Sequence, residues 1–265
     1  MDSDLEFHAN KAMLEWQVEL GADEAISETP VNRFDVPAAL PVVPVGRAPA
    51  PAAAPDDAVQ VALDPVVEAK RAAGQTESLA ELRDALVGFE HCELKRGAKN
   101  TVFADGNPAA RVMIIGEAPG RDEDIRGQPF VGRAGQLLDR MFAAIGMARD
   151  HPDSDAALYI TNILPWRPPQ NRDPKPEEIA MMMPFVARHV ELVQPEVLVL
   201  MGNISCQAVL GRRGITRLRG AWTSGLGLPA LPMFHPAYLL RNPAAKRETW
   251  ADLLMLEAKL AGGAG

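Results

Sequence analysis

Arg111-Val-Met-Ile-Ile-Gly-Glu-Ala-Pro-Gly120 is a short apolar run that stops at a glycine and passes into a tight, glycine-bounded turn. An apolar run this short, closed by turn residues, has the pattern of a strand buried on both faces. Downstream, Gly135 to Gly146 places Leu137, Leu138, Met141, Phe142 and Ile145 on one face, the spacing of a helix packed on a sheet. The texture then repeats. Ala157-Leu-Tyr-Ile-Thr-Asn162 is a second strand, Glu177 to Val193 a helix, Val197-Leu-Val-Leu-Met201 a third strand and Asn203 to Leu210 a short helix. Leu231 to Phe234 supplies the fourth strand and Arg247 to Leu260 the closing helix. Strands alternating with helices require crossovers that cover both faces of a parallel sheet. The predicted fold is therefore α/β: a three-layer α/β/α sandwich with a central parallel four-stranded sheet.

Ligands of such sheets bind at the carboxyl ends of the strands. In this chain those ends read Gly116-Glu-Ala-Pro-Gly120, Asn162, Gly202-Asn203 and His235-Pro236. One Glu, two Asn and one His are thus expected to converge on one edge.

The rest of the chain narrows the class of protein. Its 265 residues are 47% hydrophobic, and no apolar run approaches the ~18 residues a membrane span needs. Charge is unevenly spread: residues 1–80 carry 14 Asp/Glu against 5 Lys/Arg, a net −9, while residues 81–265 are close to neutral at +1. From Arg212 to Arg247 there are seven cations and no carboxylate. That concentration suits an anionic partner, the plain alternative being a solvated basic surface. Cys92 and Cys206 are the two cysteines, and the acidic N-terminus lacks a charged-then-apolar secretion pattern. Both point to a cytoplasmic chain without a disulfide framework.

Leu5, Ala9, Met13, Trp16 and Leu20 follow helical spacing, which predicts an amphipathic helix within residues 1–30. From Pro37 to Pro55, 13 of 19 residues are Pro or Ala, a composition that cannot bury a core. A flexible linker is expected over 31–75 and a catalytic domain over 76–262. The N-terminal extension either holds a protein partner or tethers the domain. With no repeat or heptad, a monomer is expected.

Four blocks carry a resemblance. Gly116-Glu-Ala-Pro-Gly-Arg-Asp-Glu-Asp124, followed by Gly127-Gln-Pro-Phe-Val-Gly-Arg-Ala-Gly-Gln-Leu-Leu-Asp139, resembles the first motif of the family 4 uracil-DNA glycosylases. Tyr159-Ile-Thr-Asn162 running into Arg167-Pro-Pro-Gln-Asn-Arg172, Pro195-Glu-Val-Leu-Val-Leu-Met-Gly202, and His235-Pro-Ala-Tyr-Leu-Leu-Arg-Asn-Pro243 agree in order and spacing. The resemblance spans roughly Ala80 to Ala261. It implies a DNA-repair enzyme that flips uracil from the helix and hydrolyses its glycosidic bond, with uracil-containing DNA as partner.

A flipped base must be received by a fitted pocket that recovers the cost of unstacking. By resemblance Phe130 is the stacking platform, an interaction worth ~1–3 kcal/mol in single-strand binders; its alternative is an ordinary core Phe. Asn162 can offer an acceptor to uracil N3–H and a donor to O4, a polarity cytosine reverses; its alternative is a turn cap. Glu123 matches an acidic residue that fills the space beside C5 and so rejects thymine's methyl, or else is a solvated loop Glu. His235 is by resemblance the donor to the departing base's carbonyl, and Glu117 the group that positions water or steadies the cationic sugar. Gly116, Ala118 and Gly120 belong to the substrate-binding loop, whose amides could hold a phosphate or the uracil O2. Arg219, Arg241, Lys246 and Arg247 are candidate phosphate contacts, and Leu239 or Leu240, with Leu240 preferred, the wedge that fills the gap. The remaining histidines, His189 among them, are read as structural or exposed.

One feature departs from the family, which usually carries a [4Fe–4S] cluster on four cysteines. The corresponding positions here are Phe89, Cys92, Trp166 and Met182. A cubane normally needs a thiolate on each iron, so no cofactor and no metal are expected, with the three large apolar residues packing around Cys92 instead. Two rival readings remain: a catalytically inactive DNA-binding paralogue, and a glycosylase of broader deaminated-base range.

Overall fold

A computed structural model describes residues 64–262; the helix expected over 1–30 and most of the expected linker lie outside the described residues. The chain opens with α1 (Pro65–Gly74), α2 (Leu79–Gly88) and the single turn α3 (Leu94–Gly97). Then come β1 (Ala104–Gly106), β2 (Val112–Gly116), α4 (Arg121–Arg126), α5 (Arg133–Ala143) and β3 (Leu158–Asn162). The second half runs α6 (Pro176–Val193), β4 (Val197–Met201), α7 (Gly202–Leu210), α8 (Ile215–Leu218) and β5 (Thr223–Gly225). It ends with β6 (Leu228–Met233), α9 (Pro236–Arg241) and α10 (Lys246–Leu260).

The sheet has six strands in the order β1-β3-β2-β4-β6-β5. Its four inner strands are parallel and coincide, within three residues at each end, with the four expected from the sequence. The outer two, β1 and β5, pair antiparallel and make the sheet mixed, a correction to the four-stranded expectation. Ala-Asp-Gly and Thr-Ser-Gly carry no alternating apolar pattern; these three-residue segments are strands because a neighbouring edge offers them backbone partners.

Alternation along the inner strands sorts side chains to two faces. Met113, Ile115, Leu198 and Leu200 join one core with α1, α2 and α6, whereas Val112, Ile114, Val197 and Val199 join the other with α5 and α10. That is the three-layer sandwich expected of strands apolar on both sides. A second correction concerns the linker. Ten of its last eleven residues form α1, capped by the Asp64 carboxylate, which accepts from Val66 N–H at 2.9 Å, and started by Pro65. Ala69 and Ala73 are buried where α1 lies on α6. Small side chains allow close helix approach, so two alanines at the end of the expected linker serve here as an interface.

Register fixes the functional edge. Gly116 pairs with Asn162 across β2 and β3, and Met201 with Met233 across β4 and β6. The residues that follow these strands therefore emerge side by side.

Candidate active site

At that edge lies a cavity of about 550 Å³ whose walls include Glu117, Phe130, Asn162 and His235. The four residues come from four separate segments of the chain, and the parallel register brings them together. Asn203, the second strand-end Asn, also lines the cavity, but its Oδ1 accepts from the N–H groups of Gly214 (3.1 Å) and Ile215 (2.9 Å), so it holds the start of α8.

Phe130 and Asn162 meet over Gly116. A Cβ on Gly116 would stand 2.3 Å from Asn162 Oδ1 and 2.5 Å from Phe130 Cε2, so no other residue fits without moving the amide or the ring. Asn162 is buried, and among the described residues its side-chain amide has no hydrogen-bond partner within the chain. Its oxygen and NH2 stay available to whatever fills the cavity. The Phe130 ring stands 5.4 Å from the His235 ring at 31°.

His235 caps α9: its Nδ1 accepts from Ala237 N–H at 3.1 Å. A ring nitrogen that accepts carries no proton, so in the neutral imidazole the hydrogen sits on Nε2 as a donor. Burial, helped by Arg241, lowers the His235 pKa to about 4. The imidazole is therefore neutral at physiological pH, and its one N–H is free of the cap.

Glu117 is pushed the other way. Burial, reinforced by the Asp173 carboxylate and only partly opposed by Arg213, raises its pKa to about 7. A carboxyl whose folded pKa lies above its unfolded value costs nothing below the unfolded pKa; the cost builds as pH rises between the two and is complete above the folded one. Glu117→Gln is thus expected to stabilise the fold at pH 8 by at most about 3 kcal/mol and to leave it unchanged near pH 4. Denaturant titrations at the two pH values check this.

Glu123 lines the cavity too, but it is not a solvated loop residue. Its Oε2 accepts from Gly120 N–H (3.1 Å) and its Oε1 from Val131 N–H (3.0 Å) and Gly132 N–H (2.9 Å). The Gly120 amide is consequently engaged within the chain, which corrects its assignment as a ligand donor. Ala118 remains a half-buried part of the wall.

Of the basic residues expected to face DNA, Arg241, Lys246 and Arg247 are exposed, and Arg241 borders the cavity. Arg219 is a correction. Its guanidinium pairs with both oxygens of the fully buried Asp252, donates to Glu248 O at 2.7 Å and lies over the Phe234 ring. A charge committed to a buried partner supports the fold rather than a phosphate. Leu239 is wholly buried and Leu240 half-buried, so of the two wedge candidates only Leu240 reaches solvent. His189, buried, stacks on Phe103 and shares a 2.8 Å hydrogen bond with the Tyr159 hydroxyl, as a structural histidine does.

Three residues at or beside the site were given no role there from the sequence. Asp173 and Arg213 line the cavity from loops that only the fold brings to it. Arg149 contacts the carbonyls of Pro129 and Phe130 from a loop beyond α5, where nothing in its spacing marks it.

Phe89, Cys92, Trp166 and Met182 are all buried in the same apolar core. Phe89 meets Phe185 edge-on at 5.4 Å, and Trp166 donates its indole N–H to Thr101 Oγ1 at 3.0 Å. Burial raises the pKa of the Cys92 thiol. One thiol, two aromatic rings and a thioether do not fit a four-thiolate cluster. Among the described residues no group of three or more His, Cys, Asp or Glu side chains is placed to hold a metal.

Comparison with known proteins agrees with this geometry. Residues 103–254 match the family model of the uracil DNA glycosylase superfamily. The chain is 36% identical over 187 residues to the type-4 uracil-DNA glycosylase of Archaeoglobus fulgidus, covering 66% of this chain and 90% of that protein. It is 39% identical over 154 residues to the type-4 enzyme of Thermotoga maritima, covering 57% and 77%. Likeness to the type-5 uracil-DNA glycosylase of Pyrobaculum aerophilum is lower, 30% over 170 residues, covering 59% and 75%. With the matched segment taking in every strand of the sheet and all four groups of the cavity, the chain belongs to the uracil DNA glycosylase superfamily.

Proposed function

We propose that this chain is a DNA-repair glycosylase that flips uracil out of DNA and hydrolyses its N-glycosidic bond, leaving an abasic site. The observation that carries the reading is the convergence of Glu117, Phe130, Asn162 and His235 on one cavity. Phe130 receives the flipped base by stacking. Asn162 accepts from uracil N3–H and donates to O4. Glu123 closes the space beside C5.

As the bond between N1 and the sugar carbon breaks, its electron pair passes to the base. The Nε2–H of neutral His235 donates to O2, where that charge collects. Water adds to the sugar carbon and gives its proton to the Glu117 carboxylate, whose pKa of about 7 matches the operating pH. Outside the cavity, Arg241, Lys246 and Arg247 bind phosphates, and Leu240 wedges into the gap left in the stack.

With one thiol at four positions, the chain carries no [4Fe–4S] cluster, and Phe89, Trp166 and Met182 take up the room that one would need. An unfilled hole of that size is costly in a close-packed interior. The four intact pocket residues speak against an inactive paralogue. Two buried free thiols suit a reducing compartment such as the cytoplasm; among the described residues no helix is long and apolar enough to cross a membrane.

The test is base release from a uracil-containing oligonucleotide by the purified chain, with iron determined on the same sample. Abasic product from iron-free protein is expected. Intact uracil DNA after prolonged incubation would overturn the enzymatic reading, and stoichiometric iron the cofactor reading.

A further inference from the structure

Phe130 holds its ring in place from a left-handed backbone conformation, φ 53°, which costs a non-glycine residue roughly 1–2 kcal/mol. A large aromatic residue stays in such a conformation only when its surroundings over-determine it. The surroundings are specific. Arg149 donates from Nη1 to Pro129 O (3.0 Å) and Asp105 Oδ2 (2.8 Å). It donates from Nη2 to Phe130 O (2.9 Å) and Asp139 Oδ1 (2.7 Å), and from Nε to Asp139 Oδ1 (3.0 Å).

A guanidinium has five N–H donors in a rigid fork, and here all five are used. Two of the acceptors are the carbonyls on either side of the strained residue's own N–H and Cα. The others anchor the fork to β1 and to α5. On the opposite side of the turn, Glu123 accepts the next two amides, those of Val131 and Gly132. From below, the Phe130 carbonyl passes so close to Gly135 that a Cβ there would stand 1.7 Å away. The turn is thus gripped by its carbonyls, by its amides and by a glycine that leaves it room.

We propose that Arg149 is the positioning residue of the base platform. It touches no substrate. By fixing the Pro129–Phe130 turn, it presets the ring before the base arrives, so that extrusion is not charged with ordering the platform as well. This rests on the reading of the cavity as a uracil site. Lysine cannot replace it, since one ammonium cannot span two carbonyls and two carboxylates.

The test is a double-mutant cycle with Arg149→Lys and Phe130→Leu, read by single-turnover uracil release and by 2-aminopurine fluorescence beside the uracil. Arg149→Lys is expected to slow release about 10- to 100-fold and to reduce the extrusion signal. In the Phe130→Leu background it is expected to add almost nothing, because it acts through the ring. Losses that multiply, or no loss in the single variant, would overturn the proposal. Should Arg149→Lys fail to fold, Asp139→Asn loosens the same fork with little change of shape and must show the same non-additivity. Wild-type protein that releases no uracil would instead sink the functional reading. Hydrogen exchange at the Val131 and Gly132 amides then reads the clamp by itself, and exchange in Arg149→Lys as slow as wild type would overturn it.

Discussion

His235→Ala is expected to slow uracil release by about 10²- to 10³-fold, the loss that follows removal of one preorganised donor to a developing oxyanion. The tautomer makes the ring a donor. Because Nδ1 is occupied by Ala237 N–H, the proton is on Nε2, and because burial lowers the pKa to about 4, the ring is neutral when it donates. Two measurements separate catalysis from folding. The cap on α9 contributes about 1 kcal/mol, so His235→Asn, which can keep a cap, is expected to melt close to wild type and yet stay as slow as His235→Ala. In the pH–rate profile of the wild type, no inflection from His235 is expected between pH 6 and 8. The rise through about pH 7 belongs to Glu117 and is expected to vanish in Glu117→Gln. A His235→Ala enzyme within a fewfold of wild type would remove the imidazole from the mechanism.

Asn162→Asp is expected to have the second large effect, on selectivity as well as on rate. The substitution preserves shape, so the β2–β3 register and the contact over Gly116 should persist. What changes is polarity: the donor to uracil O4 is lost and a carboxylate oxygen faces the carbonyl. An unmatched polar pair inside a buried site costs on the order of 10²-fold or more. Release of uracil should fall by at least that factor. The margin against cytosine, whose amino group donates where uracil accepts, should narrow at the same time. Steady-state rates on matched uracil and cytosine oligonucleotides check both. A uniform loss that leaves the ratio of the two rates unchanged would show that Asn162 merely shapes the cavity.

The inner sheet was legible because its strands are short, largely apolar and closed by turn residues, as Val197–Met201 and Val112–Gly116 illustrate. Residues buried on both faces leave no polar alternation to confuse the pattern. The edge strands were not legible, since three residues of Ala-Asp-Gly become a strand only when Leu158–Asn162 offers its free edge. Nor was α1, whose alanines are ambiguous until α6 is there to receive them.

The site divides in the same way. Glu117, Phe130, Asn162 and His235 could be named because each stands just after a strand or within an ordered motif, and parallel strands deliver their ends to one edge. Arg219 shows the opposite case. Its position in a carboxylate-free stretch suggested an anionic partner, yet Asp252, 33 residues away, neutralises it in the interior. Charge in sequence says nothing about distant pairing. The hold that Glu123 and Arg149 have on the Phe130 turn was hidden for a related reason: both bind backbone groups there, which every residue carries and which leave no signature of their own.

The sequence by itself thus determined the layer order, the edge on which chemistry takes place and the residue types available there, because periodicity and motif spacing are local properties. Only the tertiary structure decided which nitrogen of His235 holds the proton, how far Glu117 is desolvated, which arginine is free, and what keeps Phe130 in its left-handed turn. Those depend on groups that are remote along the chain and adjacent in space, and electrostatics and hydrogen bonding act on distance in space alone.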